Sequence, residues 1–402
     1  MSSVIAKTSR RKPPKRPPLN FSTLWHSAGF RGLLYQALVI ALVISTVLFM
    51  ISNAQVAMEK RGITTGFDFL SEEAGFPIGE SVIDYSPADT YLRAYVAAVL
   101  NTLKVSVFSI AAATIIGTLL GIARLSSNWL ISKLSSAYVE VFRNTPQLVQ
   151  IIFWYTLVTR LPHPRQALNP FDGVFLSNRG LVLPWPASDP IYSWMIVAFA
   201  AGCLVALGFA KWADWRRRRT GTPLPVLGVS LGLIVGLPTV TWLIGGTPTQ
   251  IDTPVLKSFN FVGGASLSPE FLALLLGLSL YIAAFIAEIV RSGIQSVQRG
   301  QVEAARSIGL KRSEIYRKVI LPQALRVIVP PATAQYVSLT KNSSLGVAIG
   351  YPELFNVNNT IVTLSGNTIE AIAIMMAVYL SIAFTIAIIM NWYNKLIQIK
   401  ER

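Results

Sequence analysis

Long runs of uncharged, apolar residues recur along the whole chain and leave few options for its fold. A helix needs roughly 20 mostly apolar residues to cross the hydrocarbon core of a bilayer. Backbone polar groups in hydrocarbon must be bonded within the segment, so such runs predict helices. The candidate spans are 33–51, 97–123, 139–158, 192–210, 226–244, 272–290, 327–349 and 371–390. The expected fold is all-α and polytopic, with about eight transmembrane helices.

Polar residues or prolines interrupt the third and seventh runs. Glu140 and Arg143 lie near the start of the third, while the seventh contains prolines together with Lys341 and Asn342. Polar and charged groups are costly in hydrocarbon. The first run is too long, and the charged stretch before it too extended, for a cleaved signal peptide. We therefore interpret 33–51 as a retained helix.

Composition agrees with a membrane location and excludes other classes of protein. Only 13% of the 402 residues are charged, against about 25% in soluble domains. The formal net charge of +16 comes from short basic clusters between apolar runs, which is typical of membrane loops. We therefore expect a lipid bilayer and no nucleic acid as partner. One cysteine, Cys203, with His26 and His163, is too few for a metal site, and we expect neither a metal nor another cofactor.

The distribution of Lys and Arg predicts the orientation of the chain. Segments 1–32, 124–138, 211–225, 291–326 and the C-terminal tail together hold 25 of these residues. The alternate loops 52–90, 161–191, 246–271 and 350–370 hold five. Because cytoplasmic loops carry the excess of positive charge, both termini are expected in the cytoplasm.

Three regions follow from these patterns. Residues 1–32 are basic and proline-rich, which predicts a disordered cytoplasmic tail. Residues 33–92 comprise the first span and an outer loop. Residues 93–397 form the main transmembrane domain, in which the block at about 161–270 contains two uncharged spans and resembles an insertion facing lipid.

The basic loop 291–326 has a helix-forming, amphipathic pattern. Val302, Ala305 and Ile308 recur with helical spacing. Gly309 stands where a left-handed cap would reverse the chain, and Ser313 is a candidate cap for a following helix. The loop is therefore expected to form a helix, a glycine turn and a second helix.

This loop resembles the EAA loop of ABC-importer permeases. The matching residues are Glu303, Ala304, Ala305, Gly309, Leu321 and Pro322, with Val319 in place of the usual isoleucine. The resemblance implies a type I importer permease whose loop docks on a cytoplasmic ATPase subunit dimer and couples it to the membrane helices. Small Ala304 and Ala305 would allow close approach, and Glu303 could pair with an arginine of that partner.

Two further stretches resemble the polar amino-acid uptake branch of these permeases. They lie in 93–160 and 270–395 and include EVFRNTPQLVQ and LTKNSSLGVAIGYPELF. The long N-terminus and inserted helices resemble the Q-type permease subunits of general L-amino-acid systems. This resemblance implies an L-amino-acid substrate, a periplasmic amino-acid-binding protein and a second permease subunit in a heterodimer at the bacterial inner membrane.

Polar residues in the spans are candidates for a translocation path. They are Arg143, Asn144, Gln147, Gln150, Lys341, Asn342 and Ser343. In one continuous helix Gln147 and Gln150 share a face, with Asn144 before them. Alternatively, Glu140 and Arg143 form an intrahelical ion pair, Lys104 snorkels to the outer interface, and Glu288 with Arg291 is structural.

Two classes of function remain to be separated. The chain lacks the phosphate-binding pattern G-x-x-x-x-G-K-[ST], so a transport permease without a catalytic site would depend on ATP hydrolysis in another subunit. A membrane enzyme would show clustered His, Asp or Glu in its spans. Composition leaves an ion-gradient-driven secondary transporter as the alternative, although the paired, broken helices typical of that class are not evident.

Overall fold

The computed structural model describes residues 28–60, 66–222 and 224–397. The expected disordered tail lies outside them, apart from 28–32, which belong to the first helix. The chain divides into two units, Met1–Phe67 and Asp68–Arg402. In the first unit, α1 (Ala28–Lys60) contains an apolar stretch, Phe30–Asn53, long enough to span a bilayer.

The second unit is mainly helical. Its longer helices are α2 (Tyr91–Ala123), α3 (Trp129–Asn144), α4 (Gln147–Thr159), α5 (Pro190–Thr220), α6 (Val226–Ile244), α7 (Pro269–Gln295), α10 (Leu321–Asn342), α11 (Leu354–Ser365) and α12 (Thr368–Ile397). Two short helices, α8 (Arg299–Ser307) and α9 (Arg312–Ile315), precede α10. Among the described residues, six helices are long and apolar enough to cross a membrane.

The third predicted span, 139–158, is not one helix. Helix α3 ends at Asn144 and α4 begins at Gln147. Between them, Thr145 has an extended backbone with φ −99° and ψ 131°. Pro146 disfavours a helical conformation in the residue before it and has no N–H to donate. The seventh span also differs, because α10 ends at Asn342 and a 3₁₀ helix, Ser343–Ile349, follows.

Helix α7 forms the centre of the core. It packs against α2, α3, α4 and α10. A Cβ built on Gly117 of α2 would lie 2.6 Å from Ile286 Cβ, and one on Gly277 would lie 2.5 Å from Ile151 Cγ1. Small residues therefore bring α7 close to both α2 and α4, as is common between membrane helices.

Short β-strands in the inserted block were not expected from the sequence. Strands β1 (Leu168–Phe171), β2 (Val174–Ser177), β3 (Gly180–Leu183) and β8 (Ala265–Leu267) form an antiparallel sheet in that order. Two strand pairs accompany it: β4 (Trp185–Pro186) with β5 (Ile251–Asp252), and β6 (Val255–Lys257) with β7 (Asn260–Val262). The two loops flanking α5 and α6 thus fold together, because β3 pairs with β8.

The outer loop packs on the ends of the core helices. Phe69 from this loop lies in one buried cluster with Tyr91, Tyr95 and Leu354. Lys104 does not snorkel freely but forms an ion pair with Glu80. A carboxylate of this loop therefore neutralises a lysine of α2.

Candidate functional site

Helix α8 presents the motif residues on its surface and holds one of them inward. Glu303 and Ala304 are exposed, whereas Ala305 is only 5% exposed. Ile308, at the end of the helix, is 76% exposed. Ala304 and Ile308 are four residues apart and share one face of this short helix, which leaves a small and an apolar side chain uncovered beside Glu303.

The predicted glycine turn is present. Gly309 has φ +81°, and its N–H donates to Arg306 O at 2.9 Å while Leu310 N–H donates to Ala305 O at 3.2 Å. These two bonds form the Schellman pattern that ends a helix on a left-handed residue. The turn sets the direction in which α9 leaves α8.

The second half of the loop is capped by a residue other than the one predicted. Ser313 lies inside α9, so its expected capping role is wrong. Glu314 accepts the Lys311 backbone N–H at 3.1 Å and pairs with Lys318 Nζ at 2.8 Å. Hydrogen bonds from Lys318 and from the Lys311 backbone lower the pKa of the Glu314 carboxyl.

The chain then enters the membrane domain without a break. A single π turn, Tyr316–Ile320, joins α9 to α10, which begins at Leu321 with Pro322 in its first turn. Pro322 has no N–H to donate, and the π turn directly before it changes the hydrogen-bond pattern of the continuous helix at this point. Gln323 Nε2 donates to Gln301 Oε1 at 3.0 Å. The loop is thus tied back to the first turn of α10.

Two of the predicted path residues meet inside the membrane domain. Asn342 Nδ2 donates to Gln147 Oε1 at 2.7 Å. Gln147 is 8% exposed, and its Nε2 has no hydrogen-bond partner among the residues that the structure describes. Gln150, 6% exposed, donates to Phe142 O and Thr145 O. Gln150 therefore bonds the carbonyls exposed by the break between α3 and α4.

The other predicted path residues are not brought to this place. Arg143 and Asn144 are exposed at the end of α3, and Arg143 lies 5.1 Å from the centre of the Phe285 ring. Because the helix breaks after Asn144, the predicted common face with Gln147 is wrong. Ser343 is buried and donates to Thr340 O, while Lys341 is exposed and lines a groove of about 490 Å³ beside α12.

The predicted alternative for Arg143 also fails. Glu140 and Arg143 do not form an ion pair in the described part of the chain. By contrast, Glu288 pairs with Arg291 as expected, and with Arg124 at the end of α2. The contribution of Arg124 was missed, because nothing in the sequence relates two residues 164 positions apart.

One buried carboxylate near the outer loop was also missed. Glu353 is fully buried, caps α11 by accepting from Phe355 N and Asn356 N, and accepts from Tyr379 Oη. Burial raises the pKa of Glu353 to about 7. The sequence feature that could have revealed this residue is its position just before α11, within the stretch GYPELF.

Known proteins resemble this chain along most of its length. The family described as "Binding-protein-dependent transport system inner membrane component" matches residues 113–400. The general L-amino acid transport system permease protein AapQ of Rhizobium johnstonii is 43% identical over 95% of this chain and 96% of its own length.

Two further relatives match at nearly full length. The putative amino-acid ABC transporter permease protein YhdX of Escherichia coli is 46% identical over 92% of this chain and 95% of its own length. The glutamate/glutamine/aspartate/asparagine transport system permease protein BztB of Rhodobacter capsulatus is 38% identical over 97% of this chain and 99% of its own length.

These matches confirm the predicted resemblance and the predicted helical permease fold. They favour ABC import over the ion-gradient-driven alternative. A multi-pass protein of the inner membrane, acting as a permease subunit of an ABC importer, follows from the family and the apolar helices together. The chain belongs to the family of binding-protein-dependent transport system inner membrane components.

Proposed function

We propose that this chain forms one half of a heterodimeric pathway for L-amino acids, driven by an ATPase subunit dimer that docks on 291–326. One observation carries this proposal: the loop has an exposed surface formed by Glu303, Ala304 and Ile308. The Gly309 turn fixes the orientation of that surface. A periplasmic amino-acid-binding protein delivers the substrate on the opposite side, and both termini are cytoplasmic.

The contact surface suits a coupling element. Ala304 offers no side chain beyond Cβ, so a groove on the ATPase can approach the helix backbone. Ile308 supplies apolar surface that is uncovered in the single chain, and Glu303 supplies a charge for an arginine. Because Gln323 ties the loop to α10, movement of the docked ATPase would pass directly to a helix of the pathway.

Site-directed cross-linking tests the docking. In a Cys203→Ser background, Ala304→Cys is expected to cross-link to a cysteine on the ATPase subunit in membranes, and Lys257→Cys in the outer β-strands is the control. Absence of a cross-link at Ala304, in a variant that still transports, would count against docking on this surface.

The proposed substrate class rests on two relatives, whose names include L-amino acids in one case and glutamate, glutamine, aspartate and asparagine in the other. Uptake of radiolabelled amino acids by cells lacking this chain, with a panel of unlabelled competitors, defines the range. Restoration of uptake by the intact chain is expected for several L-amino acids. If no amino acid depended on the chain, the substrate proposal would be wrong.

The paired amides of Gln147 and Asn342 are proposed as part of the path. Their free donor and acceptor positions suit a zwitterionic solute. Gln147→Ala and Asn342→Ala, alone and combined, are expected to lower uptake while the complex assembles and retains basal ATPase activity. Unchanged uptake in the double variant would assign this pair to structure alone.

A further inference from the structure

The end of α5 carries a dense set of cations that lies outside the loop and path residues proposed above. Lys211 and the run Arg216–Arg219 lie within one short segment, against the single carboxylate of Asp214. Arg218 Nη2 pairs with Asp214 at 2.7 Å. The segment 211–219, called here the basic cuff, therefore keeps a strong positive charge after its internal ion pair is formed.

The length of α5 places the basic cuff at one surface of the bilayer. Its first 21 residues, Pro190 to Ala210, are uncharged. At about 1.5 Å per residue they extend roughly 31 Å, close to the roughly 30 Å hydrocarbon core. The cuff therefore begins where the hydrocarbon ends, at the depth of the lipid phosphates.

Two tryptophans support this depth independently of helix length. Trp212 and Trp215 are 49% and 50% exposed, and tryptophan concentrates at membrane–water interfaces. The guanidinium carbon of Arg219 lies 4.0 Å from the centre of the Trp215 ring, and that of Arg216 lies 5.8 Å from Trp212. These cation–π contacts hold the arginines beside the interfacial rings.

The arrangement of the arginines favours lipid over a protein partner. Consecutive helical residues are about 100° apart, so Arg216–Arg219 point around about 300° of the helix. A protein surface meets one side of a helix, whereas lipids surround it. Within the described residues α5 packs extensively only against α6, where Gly202 lies against Leu233. Most of its circumference is therefore open to lipid.

We propose that the basic cuff binds anionic phospholipid headgroups, with the arginines donating to their phosphate oxygens. This contact anchors the inserted helix pair in the leaflet at that end of α5. A cation at an anionic membrane surface strengthens binding about fivefold. Arg216, Arg217 and Arg219 together therefore contribute roughly 100-fold, and added salt reduces this preference.

Lipid titration of the purified, assembled transporter in detergent tests the proposal. Dansyl-labelled phosphatidylglycerol or phosphatidylcholine is added, and energy transfer from tryptophan is recorded. R216Q/R217Q/R219Q is expected to weaken phosphatidylglycerol binding about 100-fold and leave phosphatidylcholine binding unchanged. R216K/R217K/R219K keeps the charge and is expected to retain at least about a tenfold preference for the anionic lipid.

Two results would overturn the proposal. One is an undiminished preference for phosphatidylglycerol in the glutamine variant, with assembly verified by gel filtration. The other is loss of the ATPase subunit from that variant while lipid preference persists, which would make the cuff a protein contact. If the triple glutamine variant fails to assemble, R217Q alone is tested, and its affinity for phosphatidylglycerol is expected to fall about fivefold.

Discussion

The Gly309 turn allows a quantitative test of the coupling loop. Gly309 has φ +81°, and a Cβ built on it would meet nothing within 4 Å. Substitution therefore adds no steric clash, and the cost lies in the backbone conformation alone. A left-handed conformation costs a residue with a Cβ about 1–2 kcal/mol, which lowers the ratio of the native turn to all other turn conformations roughly 5- to 30-fold.

That loss should appear directly in docking. If only the native turn binds the ATPase subunit, the apparent Kd rises by the factor by which the competent population falls. Gly309→Ala is expected to raise the Kd by up to about 30-fold, the full factor applying when the native turn becomes the minor conformation. Gly309→Val should raise it more, because β-branched residues rarely adopt positive φ, and Gly309→Asn less, because asparagine tolerates this region.

A matched control lies in the same loop. Gly300 is exposed in the first turn of α8, and its added Cβ also meets nothing within 4 Å. Its backbone is helical, so Gly300→Ala should bind the ATPase subunit as tightly as the original chain.

Binding of the ATPase subunit to the membrane domain in nanodiscs, followed by fluorescence, measures these affinities. Uptake in cells provides a second readout. Original affinity in Gly309→Val, at an equal level of folded protein, would refute the coupling role of this turn. An equal loss in Gly300→Ala would mean that the loop responds to any substitution.

Three further predictions concern packing, titration and orientation. Gly117→Ala should destabilise the membrane domain by about 1–3 kcal/mol, because the added Cβ would clash with α7. Gly232→Ala is the control, because its added Cβ meets nothing within 4 Å. Thermal unfolding in detergent compares the two variants. Because burial raises the pKa of Glu353 to about 7, the folded state binds the extra proton and stability should fall from about pH 5 to 7. Glu353→Gln should remove that fall in a pH series of melting temperatures. Reporters fused at Arg217 and Gly75 should lie on opposite sides of the membrane, and the same side for both would refute the orientation.

Local patterns in the chain account for much of this protein. The sequence predicted about eight spans, and six of the apolar runs coincide with helices long and apolar enough to cross a membrane, because a spanning helix needs only a sufficient length of apolar residues. The spacing from Glu303 to Pro322 predicted the family, which the family match confirms, while the docking role of this loop stays a prediction. Gly309 predicted the turn, because glycine alone adopts the left-handed conformation of such a cap without steric cost.

Boundaries and turns inside those runs were less predictable. Apolar composition between 139 and 158 concealed the break at Thr145 and Pro146, although Pro146 was its local signal. The strands of the inserted block are two to four residues long, too short for a clear alternating pattern.

The partners of the polar groups were decided only by tertiary structure. The sequence by itself determined that Gln147, Lys104 and Glu288 lie in or near membrane helices and need partners. The 3₁₀ helix that follows α10 packs against α4 and brings Asn342 to Gln147. The outer loop brings Glu80 to Lys104, and the end of α2 brings Arg124 to Glu288. These contacts join residues far apart in the chain, and no local propensity encodes such pairings.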